Sequence, residues 1–185
     1  GVGGVVEIAV GVGGVIVDRR RNDVILDGLD AQHRLNCAGR AIPRRFDEIS
    51  FAQFDETMQV NLYGIWTAVA ALLPALRERR GYVVNVSSMV GFMGIYGYTD
   101  YAASKFGVIG FSEALRSEMT PDGVRVSVLC PPDTDTPGFA EENKTKPPET
   151  VAISAGAKIL SADEVADALL AGMARERFVI IPGRE

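Results

Sequence analysis

Tyr82-Val83-Val84-Asn85-Val86-Ser87-Ser88, with the helix-patterned run from Thr99 to Met119 behind it, is the stretch that decides the fold. Its first five residues are mostly β-branched or aromatic, follow Gly81 and end on two serines, the signature of a short buried strand. A loop carrying Gly91, Gly94 and Gly97 leads into the helix, which Pro121 and Gly123 stop. Val124 to Cys130 is a second β-branched run, closed by Pro131-Pro132. Strand, crossover helix and strand in this order imply parallel pairing with right-handed connections. The expected fold is therefore α/β, a doubly wound parallel sheet.

The same rhythm extends both ways. Ser50-Phe51-Ala52-Gln53 reads as a capping box opening a helix that runs to about Arg80 and ends at Gly81. Residues 133–150 are polar and Pro-rich, a loop with short helical pieces. Ser161 caps a helix to about Arg177, and Phe178 to Ile181 is a last strand. Toward the N-terminus, Val15-Ile16-Val17-Asp18 and Val24-Ile25-Leu26-Asp27 read as further strands. Gly1-Val2-Gly3-Gly4-Val5-Val6 is nearly repeated as Gly11-Val12-Gly13-Gly14-Val15-Ile16, but neither copy completes G-x-G-x-x-G, because Val6 and Ile16 take the third glycine's place. We expect one domain over residues 1–185, with a partial cofactor-binding segment at 1–35 and a catalytic part at 36–182.

Composition excludes several classes. Net charge is −5, and the one basic run is Arg19-Arg20-Arg21, which argues against a nucleic-acid surface. No run of uncharged apolar residues is long enough to span a bilayer, and Pro74 interrupts the longest, Ile65 to Leu76. The expectation is a soluble, cytoplasmic chain. Two cysteines and one histidine offer no metal-ligand spacing, so no metal is expected. Cys37 and Cys130 are expected to be small buried hydrophobes, and His33 has no functional reading.

Chemistry concentrates at Tyr101 and Lys105, an i, i+4 pair on one helix face. A free phenol titrates near ~10, and a neighbouring ammonium favours the phenolate and draws that value toward neutrality. Alone, the pair fits a solvated helix face equally well. Ser88, however, ends the apolar strand, and the carboxyl ends of parallel strands face the ligand crevice of such sheets. Ala102, Ala103, Ser104 and Gly107 are small, leaving room for a neighbouring element or a flat cofactor.

V-N-V-S-S-M-V-G followed by Y-A-A-S-K resembles the active-site signature of the classical short-chain dehydrogenase/reductase family. Asn36-Cys37-Ala38-Gly39 is similar to that family's N-N-A-G turn, with Cys37 for the second asparagine. Asn61 in Val60-Asn61-Leu62-Tyr63-Gly64 matches its catalytic helix asparagine, and Leu129-Cys130-Pro131-Pro132 stands where the family has a Pro-Gly motif. The resemblance spans about residues 35–182. It implies that Tyr101 is the general acid in ketone reduction, that Lys105 lowers its pKa and binds the nicotinamide ribose, that Ser88 orients the substrate oxygen, and that Asn61 supports a relay water. It further implies cofactor contacts from Asn36, Ala38, Gly39, Pro131, Thr134 and Thr136, with Thr136 on the carboxamide. For the residues themselves, a back-bonded helix position for Asn61 and a loop cap for Thr136 are the plainer readings.

The resemblance also bears on the N-terminus and the substrate. Gly1 and Gly3 align with the tail of the cofactor loop, and Gly14 with the close of a first helix. Asp18 and Arg19 align with the end of the second strand, and Asp27-Gly28-Leu29-Asp30 resembles the D-x-x-D after the third. Arg19 to Arg21 suit a 2′-phosphate, whereas Asp18 suits a free ribose hydroxyl; NADP is expected as cofactor, ahead of NAD. Pro131 to Pro147 resembles the corresponding segment of 3-ketodihydrosphingosine reductases. That implies NADPH-dependent reduction of 3-ketodihydrosphingosine or a similar long-chain ketone. Phe139 and the prolines would line an apolar entrance, and Asp135, Glu141 or Glu142 would meet an ammonium group. Two alternatives stay open: another carbonyl or alcohol substrate, and a catalytically silent paralogue that cannot close the dinucleotide site. The family's habit of pairing long helices makes residues 50–80 and 99–119 the expected surface of a homodimer or homotetramer.

Overall fold

The computed structural model describes residues 33–183, together with the backbone of three strands before them, β1 (Val6–Ile8), β2 (Val15–Asp18) and β3 (Asp23–Leu26). Central to it is a parallel sheet of four strands, β4 (His33–Asn36), β5 (Tyr82–Val86), β6 (Arg125–Leu129) and β9 (Val179–Ile180), in that order. Between β4 and β5 run the helices α1 (Phe51–Met58) and α2 (Gly64–Arg79), joined by a π turn over Gln59–Tyr63. Helix α3 (Thr99–Met119) crosses from β5 to β6, and α6 (Ala162–Ala174) precedes β9. Between β6 and α6 lie β7 (Thr134–Asp135), α4 (Pro137–Asn143), α5 (Pro148–Ser154) and β8 (Leu160–Ser161), with β7 and β8 paired parallel. The doubly wound parallel arrangement expected from the sequence is present.

Local chemistry sets the boundaries. Ser50 Oγ accepts from the Gln53 amide at 3.3 Å while Gln53 Oε1 accepts from the Ser50 amide at 2.9 Å, the reciprocal capping pair. Ser161 and Glu164 do the same for α6. At the end of α2 the left-handed residue is Arg80 (φ 48°) rather than Gly81, whose amide instead closes onto the Leu76 carbonyl at 2.8 Å. Pro74 does not interrupt the helix. Phe51–Arg79 is continuous and long and apolar enough to cross a membrane by length and composition, with a mean hydropathy of 1.3 over its best window. In this fold Ile65, Val69, Leu72 and Leu76 pack with Val83, Val108, Val126 and Val128 in the main core.

The N-terminal strands correct one expectation. β2 pairs antiparallel with both β1 and β3, forming a separate three-stranded sheet. Only residues 9–14 and 19–22 join these strands, and a parallel crossover needs a dozen or more residues. Val6–Ile8 is strand where a first helix was expected, consistent with its β-branched composition. Asp18 lies opposite Asp23 at the turn end of a hairpin, not at the carboxyl end of a parallel strand. Gly1, Gly3, Gly14, Arg19 and residues 27–30 lie outside the described residues.

Candidate active site

Ser88, Tyr101 and Lys105 meet on one cleft of about 450 Å³ above the carboxyl ends of β5 and β6. Tyr101 is fixed through its backbone. Its amide donates to Asp100 Oδ1 at 2.8 Å, its carbonyl accepts from Ser104 Oγ at 2.7 Å, and buried Asp100 is tied to Thr57 of α1 at 2.7 Å. Lys105 is buried, and its Nζ donates to the Val86 carbonyl at 2.9 Å and sits 5.5 Å from the Tyr101 ring centroid. Ser88 caps the turn Met89–Gly91, accepting from the Val90 amide at 3.2 Å. Gly91 lets this turn pack on α3: a Cβ there would stand 2.5 Å from Ser87 Oγ and 2.7 Å from Ile109 Cδ1.

The electrostatics differ from the sequence-based expectation. Burial pushes the Tyr101 phenol up, nearby Ser88 opposes the rise, and the charges of Glu142 and Asp133 add to it. Burial pulls Lys105 down to about 8, which leaves it an ammonium at neutral pH, yet the net effect of the surroundings on the phenol is still upward. In the free chain Tyr101 therefore holds its proton, the state a donor requires. Cys130, buried beside Ser87, is pushed up to about 12 by burial and is inert. Cys37 is exposed instead of buried, because it follows β4, the edge strand of the sheet.

Asn61 is fully buried and serves the site from behind. Its Oδ1 accepts from the Arg40 amide at 2.8 Å, and its Nδ2 donates to the Arg40 carbonyl at 2.9 Å and to Ser104 Oγ at 3.0 Å. Both amide protons are used, so one acceptor lone pair on Oδ1 is all the side chain has left. Asn61 lies in the middle of the π turn and bonds Ser104 on α3 from there; such turns are frequent at functional sites. Gly107 permits the approach, since a Cβ there would stand 2.8 Å from Leu62 Cδ2.

The implied cofactor contacts divide. Gly39, Pro131, Thr134 and Thr136 line the cleft with Tyr101 and Lys105. Thr136 also caps α4, its hydroxyl accepting from the Phe139 amide at 3.1 Å, and Thr134 donates to the Pro132 carbonyl at 2.9 Å. Asn36 is not on the cleft. It is buried between strands, accepting from Arg34 Nε and donating to Asn85 Oδ1, both at 2.7 Å, because its strand position turns it into the sheet. Ala38 is half-buried one residue short of the lining. Asp135 is exposed and away from the cleft, while Glu141 and Glu142 lie on it. Spacing gave no sign of Tyr98 or Asp133, which complete the wall; only the folded path of the loop brings them there.

The lining fits the nicotinamide-ribose end of a dinucleotide. Lys105 Nζ has three donors, makes one hydrogen bond among the described residues, and lies 3.5 Å from the position a Cβ on Gly39 would take. Two donors thus remain for hydroxyl oxygens at the open side of Gly39. Among the described residues, none forms a G-x-G-x-x-G turn opening a helix after a parallel strand, so the phosphate end is not addressed by them.

A doubly wound sheet bearing a hydroxyl, a phenol and a buried amine on one cleft defines a protein of the α/β dehydrogenase class. The short chain dehydrogenase family model matches residues 24–147, more than half of the chain, and the chain belongs to that family. It is 46% identical over 142 residues to a 3-ketodihydrosphingosine reductase of Dictyostelium discoideum, covering 75% of this chain and 42% of that protein. It is 45% identical over 133 residues to a 3-dehydrosphinganine reductase of Danio rerio, covering 71% and 40%. The chain thus spans about two fifths of the length of these curated relatives. Among solved structures, a short-chain dehydrogenase from Sphingobium yanoikuyae in complex with NADPH is similar with a TM-score of 0.72 and 26% identity, covering 82% of this chain and 57% of that one.

Proposed function

We propose that this chain carries the catalytic part of an NADPH-dependent reductase of long-chain ketones of the 3-ketodihydrosphingosine type. The observation that carries the reading is the convergence of Ser88, Tyr101 and buried Lys105 on one cleft with a largely apolar groove beside it. That groove, about 400 Å³, shares Asp133, Phe139 and Ser154 with the cleft and continues along Val151, Ala155 and Ile159. A polar head at Tyr101 would thus lead its hydrocarbon tail past Phe139. The names of the relatives from Dictyostelium and zebrafish point to the same substrate class.

Bound NADPH would supply the hydride. Ser88 would hold the carbonyl oxygen, and Tyr101 would donate the proton that becomes the alcohol hydrogen. Lys105, with Gly39 beside it, would hold the ribose hydroxyls, while Asn61 keeps the 39–40 loop in place. NADP is preferred over NAD on the resemblance of the substrate segment. The same proposal includes a cytoplasmic protein that forms a homodimer or homotetramer; Tyr63, Trp66 and Phe106, apolar side chains exposed along α2, α3 and the π turn, support that assembly.

NADPH oxidation measured across a ladder of 3-keto substrates tests the substrate reading. Each added CH₂ should raise kcat/KM about fourfold until the groove ends, following ~0.8 kcal/mol per buried methylene. A flat profile, or a preference for short ketones, removes the long-chain assignment and leaves the reductase standing. A second reading, a silent paralogue, is favoured by the antiparallel pairing of β1–β3, which adds no parallel strand at β4. Titrating NADPH into the chain separates the two, since the silent paralogue binds none.

A further inference from the structure

Helix α4 turns its two neighbouring acids to different uses. The Glu141 carboxylate pairs with Lys144 Nζ at 2.6 Å and is 72% exposed, whereas the Glu142 side chain is 17% exposed and set in the cleft wall. Glu142 Oε1 accepts the Tyr98 hydroxyl and lies 3.6 Å from Lys146 Nζ. Among the described residues Oε2 accepts no hydrogen bond, and Glu142 lines the cleft. The Tyr98 and Tyr101 ring centroids are 5.6 Å apart, placing this carboxylate one ring from the proton donor. Asp133 lines the same wall.

This arrangement is unfavourable for reducing a neutral ketone. Two carboxylates beside Tyr101 oppose its conversion to phenolate, and burial disfavours the charge on Glu142 itself. Lys146 brings one positive charge, which it also places 4.4 Å from the Phe139 ring centroid. A second cation between Glu142 and Asp133 would relieve both costs. Ser88, Tyr101, Asp133 and Glu142 line one cleft, so a ketone held at Ser88 and Tyr101 would present its neighbouring carbon to a wall that carries both acids.

We propose that Glu142, assisted by Asp133, is a specificity-determining residue that receives an ammonium group carried on the carbon next to the ketone. The cleft then selects amino ketones over neutral ones, and the seated ammonium removes the opposition to proton release by Tyr101. This rests on the reductase reading above and names its recognition element.

The test compares kcat/KM for a long-chain 2-amino-3-ketone and its des-amino analogue of equal chain length, with NADPH, in the wild type, Glu142→Gln and Tyr98→Phe. The wild type should favour the amino ketone about 10- to 100-fold, the scale of one charge-assisted contact in a dehydrated site. Glu142→Gln should bring that ratio near one. Tyr98→Phe removes the hydrogen bond to Glu142 but keeps the carboxylate, and should keep the ratio. An unchanged ratio in Glu142→Gln overturns the proposal, as does a ratio lost equally in Tyr98→Phe, which would make Glu142 a lid latch. A wild type that reduces both ketones alike overturns the amine subsite and leaves the reductase intact. A wild type that reduces neither loses the reductase reading. Calorimetric binding of the amino alcohol product against its des-amino analogue then decides the subsite alone, equal affinities overturning it.

Discussion

Truncating Asn61 to alanine removes three hydrogen bonds from one buried point and separates two accounts of this residue. The bonds tie the π turn to both backbone groups of Arg40 and to Ser104 on α3, at 2.8, 2.9 and 3.0 Å. Each contributes about 1 kcal/mol net, and the orphaned Arg40 groups add a desolvation cost, so Asn61→Ala should lower stability by about 3 kcal/mol. With a urea slope of roughly 2 kcal/mol/M, that is a midpoint shift of about 1.5 M. Ser104 keeps its bond to the Tyr101 carbonyl, and Tyr101 keeps Asp100, so the donor itself stays placed. Turnover should fall through displacement of the 39–40 loop, with KM for NADPH rising. Urea unfolding followed by circular dichroism, alongside steady-state kinetics, measures both. A midpoint within about 0.3 M of wild type, below one hydrogen bond's worth, together with a collapse of kcat alone, would refute the positioning account and return Asn61 to a direct relay.

Two further outcomes follow from the site. Tyr101→Phe should reduce turnover by roughly 10²–10⁴-fold, the usual loss of a general acid, with the unfolding midpoint retained; turnover near wild type with chemistry rate-limiting would exclude Tyr101 as donor. Burial lowers the folded pKa of Lys105 to about 8, beneath its unfolded value, so between these limits the unfolded chain binds more protons and stability rises with pH. Replacing it, Lys105→Met, should therefore stabilise the chain at pH 7 by an amount on the order of 3 kcal/mol, an advantage lost as pH climbs from about 8 toward 10.5. Urea midpoints of both chains at several pH values check this, and a constant difference across that window contradicts it.

The elements that carry the chemistry were legible because each is set by local physics. A β-branched run has to be a buried strand, and Thr99–Met119 has its stop signals written beside it. The reciprocal caps at Ser50 and Ser161 likewise need only residues three apart. The strand hairpins before β4 were misread for the opposite reason. Val15–Asp18 is a strand by composition, but whether it joins a parallel sheet depends on the length of its connections, and six and four residues allow only antiparallel return. Helix α2 passes through Pro74, as the helical pattern running to about Arg80 implied, because packing in the core outweighs the lost amide.

For the site the division is similar. Sequence by itself determined that Ser88 ends a strand and that Tyr101 and Lys105 share a helix face, since these follow from the periodicities of strand and helix. Only the tertiary structure decided what those groups are in energy. Burial raises the Tyr101 phenol and lowers Lys105, so the folded surroundings, not the i, i+4 spacing, set the direction of the phenol's shift. Asn36 and Asn61 carry the right names for a site, yet one is turned into the sheet and the other holds a loop from behind, because hydrogen-bond partners tens of residues away consume their amides. Of the acids the sequence offered for an ammonium, only the fold of the 133–150 segment over the cleft decides that Glu142 lies in the wall against Tyr98 while Asp135 does not. It brings Asp133 there as well, and these are contacts between distant parts of the chain that no spacing rule encodes.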